Sequence, residues 1–199
     1  MALGIVILAA GESSRMGKPK QILPLESGKS LLQHTVETAL ATSLRPVVVV
    51  VGANKAEVVP ELKNLPITIV DNAFWKEGMS TSVRIGLAGL YMTESNLSGA
   101  LILVCDQPYI TAGLLTQMVA VWEETGKKAV ACRYKEQWGV PVLVGRELLP
   151  ELLALSGDQG AKPVLKKYLD DVAFVNFDEG IIDLDTPEEY QTYQGKVEE

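Results

Sequence analysis

Histidine is almost absent from this chain, which carries a single one, His34, among 199 residues. That scarcity argues against a zinc site built on imidazole ligands, and it leaves no material for Ser-His-Asp or Cys-His nucleophilic catalysis. Cysteine is scarce too. Cys105 and Cys132 have no C-x-x-C spacing and sit in apolar stretches, which suits free thiols in a reducing cytoplasm. Positive charge is outweighed, with a formal net charge of −7. A surface of that sign speaks against nucleic acid and anionic membranes as partners, and it obliges any anionic substrate to find a locally positive pocket. No apolar run approaches the roughly 20 residues of a membrane span, and the first residues carry no basic leader. Repeats, low-complexity tracts and linkers are also missing, so residues 1–199 are expected to form one domain.

What the chain does have is an unusual stretch from Leu8 to Gln21, reading LAAGESSRMGKPKQ. It follows the apolar run Leu3–Ile7, which reads as a buried strand. Small residues and two glycines let the backbone approach a ligand, and Arg15, Lys18 and Lys20 supply positive potential. This is the composition of an anion cradle. It is not a Walker loop, because five residues separate Gly11 from Gly17 and Lys18 is followed by Pro19. Nor is it the dinucleotide fingerprint, since Ser13 and Ser14 stand where glycines are required.

Downstream, apolar residues at helical spacing predict a helix over Ser30–Ala41, on which His34 reads as a surface or packing residue. Strands are expected at Pro46–Val51 and Ile67–Val70, with a short helix over Ala53–Leu62 between them. Gly78–Leu87 reads as a loop running into a helix, with Ser80, Thr81 and Ser82 serving either as caps or as donors to a ligand. A strand at Leu101–Cys105 delivers Asp106-Gln107-Pro108 at its C-terminal end, where doubly wound sheets place ligands. Asp106 is therefore a candidate Mg²⁺ ligand. A helix over Thr111–Thr125, a strand at Ala129–Arg133 and a further, antiparallel strand within Gly139–Val144 follow. Helices over Arg146–Leu155 and Ala161–Leu169, strands at Val172–Phe177 and Ile181–Leu184, and a last helix through Tyr193 complete the pattern. Thr186-Pro187 with Glu189 forms a capping box, so Asp185 reads either as helix-start electrostatics or as a second metal ligand. The alternation predicts a single α/β domain with a mostly parallel, doubly wound, Rossmann-like sheet and one late antiparallel strand.

An anion cradle and two carboxylates at strand ends point to a metal-dependent nucleotide reaction by direct in-line attack. Arg15, Lys20 and Asp106 are the candidate catalytic residues, and Asp106 with Asp185 the candidate Mg²⁺ ligands.

Leu8–Gly17 with Lys20 resembles the signature of the nucleotidyltransferases of the molybdenum-cofactor type, L-A-[AG]-G-x-S-x-R-M-G followed by lysine. Gly78–Leu87, Cys105-Asp-Gln-Pro108, Gly157–Lys162 and Asp183–Pro187 resemble further motifs of that family in the same order, so the resemblance spans residues 3–193. It implies the fold of the nucleotide-diphospho-sugar transferases. It also implies that Leu8, Ala9, Ala10 and Gly11 contact base and ribose with Ser82 near the base, and that Arg15 and Lys20 hold the triphosphate. Asp106 and Asp185 would hold Mg²⁺, and Gly157–Lys162 would shape the acceptor side. Within the family, Ala10 and Pro19 are more similar to the cytidylyltransferase branch, which joins CMP from CTP to the phosphorylated pterin of molybdopterin and releases pyrophosphate. The guanylyltransferase branch typically has Gly and Asp there. Relatives often carry Gly-His-Pro where this chain has Gly139-Val140-Pro141, which puts the acceptor in question. Alternatives are transfer to a sugar or alcohol phosphate, or a non-catalytic chaperone that hands cofactor to a molybdoenzyme. Retention of both Asp106 and Asp185 favours an enzyme over the chaperone.

Overall fold

Five consecutive valines, Val47–Val51, are buried on both sides of the chain, as are nearly all residues of Ala2–Ala9. Such runs belong at the centre of a sheet covered on both faces. A computed structural model describes residues 2–195. Its strands are β1 (Ala2–Ala9), β2 (Val47–Val51), β3 (Thr68–Asp71), β4 (Leu97–Val104), β5 (Ala129–Tyr134), β6 (Gln137–Gly145) and β7 (Val172–Asn176). Its helices are α1 (Leu31–Leu40), α2 (Lys55–Val58), α3 (Met79–Thr93), α4 (Ala112–Thr125), α5 (Leu149–Leu153), α6 (Lys162–Lys167) and α7 (Pro187–Gly195). All seven strands join one sheet in the order β3-β2-β1-β4-β6-β5-β7. β6 is antiparallel to both neighbours, as expected of the late strand, and the remaining pairs are parallel. This is the single, mostly parallel α/β domain that the alternation predicts. Among the described residues no helix is long and apolar enough to cross a membrane.

Each face of the sheet carries its own core. Leu32, Val36, Leu115 and Met118 bring α1 and α4 onto one face, and Val83, Leu87, Leu149 and Leu165 bring α3, α5 and α6 onto the other. A smaller cluster joins Met16 of the first loop to Leu184, Tyr190 and Tyr193, so the C-terminal helix braces the loop from beneath. α3 lies unusually close to the sheet. A Cβ on Gly86 would stand 3.0 Å from Val50 Cγ2 and press on Val6 Cγ1. Gly86→Val is therefore expected to cost about 1–3 kcal/mol of unfolding free energy by overpacking. Urea denaturation checks this, with a lower midpoint at unchanged slope.

Three expected elements take other forms. Ala53–Leu62 is the single turn of α2 followed by a 3-10 turn, Val59–Leu62. Pro60 has no N–H to continue an α ladder. Arg146–Leu155 likewise divides into a 3-10 turn, Arg146–Leu148, and α5. The segment Ile181–Leu184 is not a strand. It leaves a 3-10 turn, Asp178–Ile181, and its backbone bonds to the loop after β4: Leu184 N donates to Asp106 O at 2.9 Å, and Gln107 Nε2 donates to Gly180 O at 2.9 Å. Gly180 O and Leu184 N spend their bonding capacity on this loop rather than on a strand edge. This pairing carries Asp185 to Asp106.

Candidate active site

The site lies at the topological switch point. β1 and β4 are neighbours in register, with Leu8 opposite Val104, while the chain leaves β1 toward β2 on the other side. The loops beyond the two strands therefore diverge and leave a crevice at their C-terminal ends. A cavity of about 160 Å³ opens there. Leu8, Ala9, Ala10, Gly11, Lys20, Ser82 and Asp106, all expected at the nucleotide, line it together. Arg15 and Asp185 stand outside that lining and join it through ion pairs.

The loop after β1 is held from within. Gln21, only 1% exposed, donates through Nε2 to Ala9 O at 3.0 Å and Gly11 O at 2.9 Å. Ser13 Oγ donates to Gln21 Oε1 at 3.3 Å and accepts from Lys20 N at 3.1 Å. Asn54 Nδ2 holds Glu12 O from the far side at 3.1 Å. The carbonyls are thus drawn inward, and the amides of Gly11 to Arg15 find no acceptor among the described residues. That is the polarity an anion cradle needs.

Four charged side chains converge beside the cradle. Lys20 Nζ lies 2.6 Å from Asp106 Oδ2 and 2.6 Å from Asp185 Oδ1, and Arg15 Nη2 lies 2.6 Å from Asp185 Oδ2. Burial alone would lower the Lys20 pKa, but the Asp106 and Asp185 carboxylates overcome it and hold the ammonium above the usual lysine range. Burial pushes the Asp185 carboxyl up, and Lys20 and Arg15 more than offset this, leaving it below its ordinary value. Asp183 borders the pair. Desolvation and the charge of Asp106 raise its carboxyl to about 6. Asp185 is not spent on capping α7: Thr186 Oγ1 accepts from Glu189 N at 3.2 Å, and Glu189 Oε2 accepts from Thr186 N at 2.9 Å. The capping box is present, and it leaves the Asp185 carboxylate for the site.

Asp106 has one oxygen on Lys20, while its Oδ1 is buried without a hydrogen-bond partner. An orphaned carboxylate oxygen beside a second carboxylate suits a divalent cation. Among the described residues no cluster of three or more His, Cys, Asp or Glu is arranged for a metal. Two carboxylates fit Mg²⁺, which keeps waters and takes its other ligands from substrate phosphates.

The N-terminus of α3 closes the opposite wall. Gly78 has φ +105°, and a Cβ there would stand 2.5 Å from the Gly157 carbonyl. Glycine is required by both conformation and contact. The late segment Gly157–Lys162 docks against this turn, with Ser80 N donating to Gly157 O at 3.2 Å and Met79 N to Asp158 Oδ1 at 3.3 Å. Met79 then separates the first cavity from a second of about 230 Å³ bounded by Tyr134, Trp138, Val140 and Lys162. Lys162 Nζ lies 5.2 Å above the Trp138 ring.

Gln21, Asn72 and Trp75 carry no role in the sequence reading, yet Gln21 and Trp75 border the cavity and Asn72 braces Ser82. A buried polar residue directly after a glycine-rich loop was the available signal for Gln21. Cys105 also lines the cavity, but burial pushes its thiol up to about 12, as it does that of Cys132. Neither is a nucleophile. Both are expected to resist Ellman's reagent at pH 8 in the folded protein and to react fully after unfolding in urea.

Known proteins resemble this chain over most of its length. Residues 5–172 match the family described as MobA-like NTP transferase domain. The chain is 31% identical to the nicotine blue oxidoreductase of Paenarthrobacter nicotinovorans over 81% of this chain and 80% of that protein. It is 26% identical to the molybdenum cofactor cytidylyltransferase of Escherichia coli K12, over 100% of this chain and 98% of that protein. Among solved structures, a Mycobacterium tuberculosis rv0371c homolog from Mycobacterium sp. strain JC1 superimposes with a TM-score of 0.81 at 30% identity, covering 98% and 96% of the two chains. A switch-point crevice with a glycine-rich anion loop, paired with this family match over most of the chain, makes the protein a nucleotidyltransferase that belongs to the MobA-like NTP transferase family.

Proposed function

We propose that the protein transfers CMP from CTP to the terminal phosphate of a molybdopterin-type acceptor, with Mg²⁺ as cofactor and release of pyrophosphate. The observation that carries the site reading is the cluster of Lys20, Arg15, Asp106 and Asp185 beside a loop whose Gly11 to Arg15 amides find no acceptor among the described residues. The base choice is supported by Ala10 and Pro19, and by the match along the whole chain to a relative named as a cytidylyltransferase.

In this reading Leu8 to Gly11 and Ser82 receive base and ribose. Arg15 and Lys20 receive the triphosphate, which competes with the carboxylates for their charge. Asp106 and Asp185 hold Mg²⁺, which when bound neutralises phosphate charge and favours departure of pyrophosphate. The acceptor's ring system enters the cavity between Trp138, Tyr134 and Val140, and Lys162 offers a cation to its polar substituents. Its phosphate oxygen forms a bond to the α-phosphorus as the bond to pyrophosphate breaks. Positioning and charge stabilisation carry such a reaction, and no protein nucleophile is needed. Handover of the product to a molybdoenzyme would follow.

The test is a matrix of ATP, CTP, GTP and UTP against molybdopterin, a sugar phosphate and an alcohol phosphate, with Mg²⁺ and pyrophosphate release as the readout. Turnover with CTP and molybdopterin is expected. Consumption of GTP in place of CTP would transfer the protein to guanylyl chemistry, and turnover with a sugar phosphate would remove the pterin from the reading.

A further inference from the structure

Asn72, the residue after β3, is fully buried and bonds to protein through both of its side-chain polar atoms. Its Oδ1 accepts from Phe74 N at 2.9 Å. That contact identifies the oxygen, so the other atom is the amide nitrogen, which can only donate. Nδ2 donates to Thr81 Oγ1 at 2.9 Å and to Ser82 Oγ at 2.9 Å. Thr81 passes its own hydroxyl hydrogen to backbone, reaching Gly78 O at 2.9 Å and Phe74 O at 3.1 Å. Ser82 is placed differently. Its oxygen is occupied as an acceptor, and its hydroxyl hydrogen finds no acceptor among the described residues. Gly78 O, the carbonyl one turn back, is already taken by Thr81. Ser82 is buried, and its remaining open side faces the nucleotide cavity.

We propose that Asn72 is a positioning residue that turns Ser82 into a fixed hydrogen-bond donor toward the nucleobase. This corner of the cavity then selects a base edge that presents a carbonyl oxygen or bare ring nitrogen, and it rejects an edge that presents an amino group. An unconstrained serine donates or accepts as the ligand requires and discriminates weakly. A serine that already accepts from a buried amide, and whose single hydrogen has no acceptor among the described residues, satisfies itself best by donating to the base. A base edge that presents an amino group leaves that buried donor unpaired. The proposal rests on the nucleotidyl-transfer reading and deepens it.

The test is equilibrium binding of ATP, CTP, GTP and UTP, followed by tryptophan fluorescence, since Trp75 lines the same cavity. It is run on the wild type, Ser82→Ala, Asn72→Ala and the double variant. Ser82→Ala is expected to weaken the preferred nucleotide about five- to tenfold, the size of one neutral hydrogen bond, and to change the others much less. Asn72→Ala is expected to flatten the preference in the same way. The double variant is expected to bind no more weakly than Ser82→Ala, because Asn72 acts through Ser82. Asn72→Asp covers the case in which the alanine variant does not fold. It keeps the acceptor for Phe74 N, and its carboxylate draws the Ser82 hydrogen away from the base, so the preference again flattens. Additive losses, or a uniform loss across all four nucleotides, overturn the positioning role, as does a folded Asn72→Asp with unchanged preference. If the selectivity survives Ser82→Ala, this proposal fails while nucleotidyl transfer stands. A wild type that binds none of the four overturns both.

Discussion

Asp106→Ala is expected to lower nucleotidyl transfer by about 10³-fold while leaving a protein that unfolds cooperatively. The large effect on rate follows from what Asp106 does at the end of β4: one oxygen faces Lys20, and the other is buried and unmatched. Removing it takes away half of the carboxylate pair, together with a buried carboxylate oxygen that has no hydrogen-bond partner among the described residues. The small effect on folding follows from what Asp106 does not do. Its side chain is not core packing, its backbone carbonyl still receives Leu184 N, and Lys20 keeps Asp185 as partner. Breaking a fully buried ion pair strands a charge at a cost of several kcal/mol, but here the lysine is not stranded. Steady-state pyrophosphate release and thermal unfolding, measured on the same preparation, separate the two effects. Near-normal turnover by the folded variant would falsify the metal role of Asp106.

The second large effect concerns Lys20. Lys20→Met removes the cation that stands 2.6 Å from both carboxylates and leaves Asp106 and Asp185 facing each other, with only Arg15 on one side. Two results are expected. Transfer falls by about 10²–10³-fold, because a charge that stabilises the departing pyrophosphate is gone. The variant also unfolds at lower temperature than the wild type in chelator, and millimolar Mg²⁺ raises its midpoint more than it raises that of the wild type. A ligand that binds only the folded state stabilises it by mass action, and in the variant the ion no longer competes with an internal ammonium. A variant whose midpoint ignores Mg²⁺ would show that the two carboxylates do not form a divalent site.

Much of this site is readable from the chain because its parts are local. The loop from Leu8 to Lys20 announces its chemistry in its own composition, and Asp106 announces its place by standing between an apolar strand and Pro108. The Thr186–Glu189 capping box is likewise a short-range pattern, and the structure contains it. What the chain conceals are contacts between distant residues. Gln21 matters because Ala9 and Gly11 point carbonyls at it, and Asn72 because it meets Thr81 and Ser82 across a turn. Amide side chains carry no charge or periodicity to reveal such roles. Ile181–Leu184 shows the converse failure. Its apolar content suits a strand, but strands exist by pairing, and this segment pairs with the loop after β4. That departure has a function, since it brings Asp185, 165 positions along the chain from Lys20, to within 2.6 Å of its ammonium.

The direct test of the whole account is the fate of the α-phosphorus of CTP. Reactions with Mg²⁺ and molybdopterin would be run in parallel with label in the α- or the γ-phosphate. Transfer predicts α label on the acceptor, γ label in pyrophosphate in equal amount, and loss of both signals in Asp106→Ala. Release of γ label as inorganic phosphate with α label left in CDP would contradict it, because the cleft would then be hydrolysing a nucleotide rather than joining one to an acceptor.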